Sequence, residues 1–126
     1  MKKIAAACLL ALLCLASVAW ASDDSTSQVN KLPVKGVVTL IDLGAASCIP
    51  CKMMAPILEE LKGQYAGKAE VHFIDVRHDR AAIDRFKLRG IPTQIFFDRE
   101  GKEAYRHLGF LDKEAIVTIM AQLGVK

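Results

Sequence analysis

Apolar and polar positions change period along the chain in a regular order. Residues 37–45, VVTLIDLGA, are apolar almost throughout and rich in β-branched side chains, the pattern of a strand covered on both faces. From Cys48 to about Gln64 the spacing becomes helical, with Met54, Ile57, Leu58, Leu61 and Tyr65 on one stripe. Pro56 falls inside that helix and should kink it. EVHFIDV (70–76) predicts a second strand, and DRAAIDRFKL (79–88) predicts a short helix closed by Gly90. TQIFFD (93–98) and KEAYRHLG (102–109) predict two strands joined as a hairpin through Arg99-Glu100-Gly101. The last helix opens at Asp112 as N-cap, buries Ile116, Ile119, Met120 and Leu123, and stops near Gly124.

Strand, helix, strand, helix, hairpin, helix requires a right-handed crossover between a parallel pair, followed by antiparallel strands. The expectation is one α/β domain over 37–126, a mixed sheet with helices on both faces and a single modest core. Residues 22–36 are polar and carry Pro33 and Gly36, which predicts a flexible leader.

Residues 1–21 stand outside this pattern. A basic head, Met1-Lys2-Lys3, precedes the unbroken apolar run IAAACLLALLCLASVAWA (4–21) and then the polar SDDSTSQ. The run ends in Ala19-Trp20-Ala21, which is the layout of an export signal cleaved after Ala21. An uncleaved membrane anchor is the competing reading, because the run sits at the lower edge of what spans a bilayer. Lipid attachment would need Cys8 or Cys14 in a lipoprotein-like box, and both fit that pattern poorly. Cleavage leaves 15 of the 17 Lys and Arg against 14 Asp and Glu, a net charge of +1. So small a charge argues for no nucleic-acid partner. Cleavage also leaves two of the four cysteines, Cys48 and Cys51.

Those two stand in ASCIPCKMMAP (46–56), at the start of the predicted helix. Unpaired N–H groups and the positive end of the helix dipole should surround Cys48, lower its pKa and make it the nucleophile. Pro50 suits the first turn, where a missing N–H costs nothing. Cys51 lies about one turn on, within reach of a disulfide, so it can resolve a mixed disulfide formed at Cys48. Zinc or copper is an alternative, but no second cysteine pair follows, and His72, His78 and His107 lack the short spacing of partner ligands. A c-type haem needs histidine after Cys51, where Lys52 stands. A purely structural disulfide would close a very small loop and restrain the unfolded chain little.

LIDLGAASCIPCKMMAPILEEL, followed by RGIPTQIFF and by glycine at 101 and 109, resembles thioredoxin over about residues 37–124. The resemblance implies the thioredoxin fold, Cys48 as attacking cysteine, Cys51 as buried resolving cysteine and Pro56 as the helix-kinking proline. It implies a cis bond before Pro92, with Ile91 offering backbone groups to a substrate strand. It also implies that Asp42 is buried, with a raised pKa, and accepts the Cys51 proton. Ile49, Pro50 and Ser47 would complete the substrate surface. Three departures stand out: Ser47 replaces the usual tryptophan, Ile49 the usual glycine, and Phe73 the lysine usually paired with the buried aspartate.

Exported relatives include reductants, oxidases and isomerases. The segment between Gln64 and Ile91 leaves no room for the oxidases' helical insertion, and the isomerases' dimerisation domain is absent. Proline immediately before Cys51 resembles the reducing members, whose potentials lie at about −270 mV against about −120 mV for the strong oxidase. The expectation is a monomeric periplasmic protein-disulfide reductase. It would act on disulfides of exported proteins and be recharged by a thiol-reducing membrane electron donor. The Cys48–Cys51 disulfide would be its redox centre, with no metal and no other cofactor. Dithiol oxidase or isomerase-type exchange is the alternative, as is a Cu(I) chaperone using the same sulfurs with Met53 or Met54.

Overall fold

The computed structural model describes residues 29–126. The expected signal, 1–21, and residues 22–28 of the expected leader lie outside the described residues.

The strand and helix signals fold as β1 (Val38–Gly44), α1 (Ile49–Gln64), β2 (Ala69–Asp75), α2 (Ala81–Arg85), β3 (Thr93–Phe97), β4 (Glu103–Leu108) and α3 (Lys113–Gln122). The sheet order is β2-β1-β3-β4. β1 pairs parallel with β2, and β1–β3 and β3–β4 are antiparallel. All seven residues of β1 are buried, which is why its sequence shows no alternation.

The sheet separates two apolar clusters. Val38, Leu40, Val71 and Phe96 pack against Met54, Leu58 and Leu61 of α1 and Ile116 and Met120 of α3. Ile41, Leu43, Ile74, Ile95 and Phe97 face Ala82 of α2 and Phe86 on the other side. Helices therefore cover both faces, as the element order requires.

One local feature differs from expectation. The helix expected over 79–88 is shorter, spanning Ala81–Arg85. It does not wait for Gly90, because Lys87 adopts a left-handed conformation with φ 49° and ends it. Lys87 N donates to Asp84 O and Leu88 N to Ile83 O, a Schellman closure with lysine where glycine is usual. The α3 terminus uses the usual residue: Gly124 has φ 85°, and Val125 N donates to Met120 O.

Residues 29–36, the described part of the expected leader, lie against the domain. Leu32 is buried in the second cluster, and the Arg85 guanidinium donates to the carbonyls of Val29 and Leu32. Gly36 N donates to Arg99 O at 2.7 Å.

Candidate functional site

Antiparallel register places the C-terminal end of β1 beside the N-terminal end of β3, with Leu43 opposite Thr93. The loop that enters α1 (45–48) and the loop that enters β3 (90–92) therefore meet at one end of the two central strands. The sequence-predicted site residues lie on these two loops, on the first turn of α1 and, in the case of Asp42, on β1 itself.

Cys48 is the N-cap of α1, with extended backbone at φ −84° and ψ 123°. Its Sγ accepts from Cys51 N at 3.4 Å, and its carbonyl accepts from Lys52 N at 3.0 Å. Ile49 and Pro50 follow as the first helical residues, and no acidic side chain occupies the first turn. One otherwise orphan helix N–H, that of Cys51, thus points toward the Cys48 sulfur, with no carboxylate on that turn to oppose negative charge there. Cys48 and Cys51 form a disulfide with Cα atoms 5.2 Å apart. The two sulfurs are unequal, because Cys48 is half-buried whereas Cys51 is only 4% exposed.

Ser47 is exposed, Pro50 is half-buried and Ile49, at 72%, is the most exposed large apolar side chain among the described residues. The Ile91–Pro92 peptide bond is cis. Ile91 is half-buried and Pro92 buried. Pro92 O accepts from Gly109 N at 2.8 Å, and Thr93 Oγ1 donates to Gly90 O at 2.6 Å. The first bond ties the loop to the end of β4, where Leu108 and Phe110 are exposed, and the second braces the loop internally.

Beneath the disulfide, Gly44 closes β1. A Cβ there would come within 3.2 Å of both Cβ and Sγ of Cys51 and 3.0 Å of the Phe73 ring. A side chain there would press on both Cys51 and Phe73, so glycine suits the close approach of the α1 terminus to the sheet. Phe73 and Cys51 also line a cavity of about 330 Å³ with Ala45, Leu58 and Lys52.

Asp42 shares this sheet face, two residues before Gly44, and is fully buried. Burial pushes its carboxyl up to about 6, against an opposing hydrogen bond from Gln94. Gln94 Nε2 donates to Asp42 Oδ1 at 2.7 Å. Asp42 Oδ2 and Gln94 Oε1 are buried without a partner among the described residues. The register partner of Asp42 on β2 is Phe73, so that position supplies no cation.

Sequence reasoning missed Gln94 and Asp75. An amide within the apolar run TQIFF is the one visible signal for Gln94. Asp75 accepts from Ala46 N at 3.2 Å and Arg77 N at 2.9 Å, bracing the loop before Cys48. The Arg77 bond leads in holding its carboxyl below the usual range.

The thioredoxin family model matches residues 18–122. The chain belongs to the thioredoxin family. It is 38% identical over 87 residues to a thioredoxin of Staphylococcus haemolyticus, covering 69% of this chain and 83% of that protein. A thioredoxin of Staphylococcus aureus is 37% identical over the same share of each. Among solved structures, chloroplastic thioredoxin z superposes with a TM-score of 0.68 at 26% identity, covering 78% of this chain and 88% of that one. Deadhead, a germline-specific thioredoxin of Drosophila melanogaster, gives 0.65 at 28% identity, with 79% and 91% covered. As a thioredoxin-family thiol-disulfide oxidoreductase, the chain carries its chemistry in the Cys48–Cys51 pair.

Proposed function

We propose that this thioredoxin-family protein is a protein-disulfide reductase of the periplasm. It acts on disulfides of exported proteins and is recharged by a membrane donor of the thiol-reducing type. The observation that carries the reading is the pairing of a half-buried Cys48 at a helix N-terminus with a nearly sealed Cys51. The export-signal layout of residues 1–21 supports the compartment, and Pro50 directly before Cys51 supports the direction of electron flow.

In the dithiol form the Cys48 thiolate attacks one sulfur of the substrate disulfide. That S–S bond breaks, and the other substrate sulfur leaves as a thiolate and takes a proton. Cys51 then gives its proton to Asp42, and its thiolate attacks Cys48 Sγ. The mixed disulfide breaks, the second substrate thiol is released and the Cys48–Cys51 bond forms. Two electrons pass from the dithiol to the substrate, and the membrane donor returns two. The cis-proline loop with Ile91 and Pro92, beside Ser47, Ile49 and Pro50, receives the extended substrate segment. Exposed Ile49, Leu108 and Phe110 suit apolar side chains of a protein substrate.

The equilibrium potential of the Cys48–Cys51 pair tests the direction. A value near that of the reducing thioredoxins, about −270 mV, with catalysed insulin reduction, is expected. A value above about −180 mV overturns the reductant assignment.

A further inference from the structure

From the row of side chains beneath the disulfide, we infer that Gln94 is a positioning residue that keeps Asp42 available as an ionised proton acceptor for Cys51. This rests on the proton-acceptor role given to Asp42 above and names the residue on which that role depends.

Gln94 and Asp42 are register partners on β3 and β1, both fully buried, so the amide and the carboxyl meet inside the sheet's α1 face. The 2.7 Å bond from Nε2 to Oδ1 is the only hydrogen bond that the Asp42 side chain makes among the described residues. On the opposite side, Phe73 offers neither a donor nor a charge. The orientation of the amide is forced while Asp42 is ionised. Turned over, Gln94 would set Oε1 against a carboxylate oxygen, two acceptors in contact with water excluded. Held this way, Gln94 occupies Oδ1 and leaves Oδ2 open to take a proton. The geometry therefore assigns one carboxylate oxygen to anchoring and the other to chemistry.

Other ionisable groups stand on the elements packed around Asp42. They include Cys51, Lys52 and Glu59 of α1, Glu70, His72 and Asp75 of β2, and His107, the register partner of Gln94 on β4. His107 Nε2 is already engaged with Phe110 O at 3.1 Å. Burial and the Gln94 bond are the causes that move the Asp42 carboxyl, with no charged neighbour among them. A donor to a charged acceptor in a dry site is the stronger class of hydrogen bond, so removing it should raise the Asp42 midpoint by about one pH unit or more.

The test follows the Asp42 carboxyl carbon and the Gln94 side-chain amide by NMR titration of the oxidised full-length protein. In the wild type the Gln94 amide protons should shift with the same midpoint as the carboxyl, a readout that needs no variant. In Gln94→Met, near-isosteric but without a donor, the Asp42 midpoint should rise by about one pH unit. Insulin reduction should then fall about five-fold at pH 6 and hardly change at pH 8, since only the ionised fraction of Asp42 differs. Amide protons that ignore the carboxyl titration, or an unmoved Asp42 midpoint in Gln94→Met, overturn the assignment of Gln94. Asp42→Asn separates the two claims. If it keeps the wild-type rate and pH profile, the proton-acceptor role fails, and with it the kinetic consequence for Gln94, whatever the midpoints show.

Discussion

Asp42 is the residue at which burial and charge conflict. Its carboxyl ionises at about 6 in the fold against 3.8 for an ordinary aspartate. Between those values the folded chain holds a proton that the unfolded chain has lost. Stability from this group is therefore full below pH 3.8 and is lost as pH rises through about 6, a difference of about 3 kcal/mol. Asp42→Asn should accordingly stabilise the oxidised protein by up to about 3 kcal/mol at pH 8 and by almost nothing below pH 4. Urea unfolding at the two pH values measures this, and an equal effect at both would rule out the ionisation account. The pairing of Cys48 with Cys51 was legible in the cysteine spacing, and the burial of Asp42 in the family resemblance together with the apolar run around it. Gln94 was not, since one amide in a strand has many possible partners until register supplies the neighbour.

At the scale of elements, strands and long helices could be read because each carries several periods of its pattern. The error fell on α2, which has only five residues and ends on a backbone conformation rather than on a residue preference. Lys87 pays a steric penalty at φ 49° that glycine avoids. Lys87→Gly should therefore raise stability by about 1 kcal/mol, leaving insulin reduction unchanged. Thermal melting of the oxidised protein checks it, with a lower midpoint counting against the Schellman assignment.

Across the whole molecule, the α/β layering followed from element order, whereas the docking of residues 29–36 did not. Arg85 reaches carbonyls more than fifty positions away, and such side-chain to backbone bonds leave no periodic trace in sequence. Leu32 is buried in the cluster opposite α1, so Leu32→Ala should destabilise the protein by about 2 kcal/mol or more while leaving the potential of the cysteine pair in place. Chemical unfolding alongside redox titration would show whether the two properties separate as this placement requires. The unequal covering of the two sulfurs also has an outcome on the scale of the intact protein. Once reduced, the native protein should take up a single bulky maleimide, at Cys48, and a second at Cys51 only in denaturant. Mass spectrometry of peptides from residues 37–126 would therefore find one adduct on the folded domain where its composition permits two.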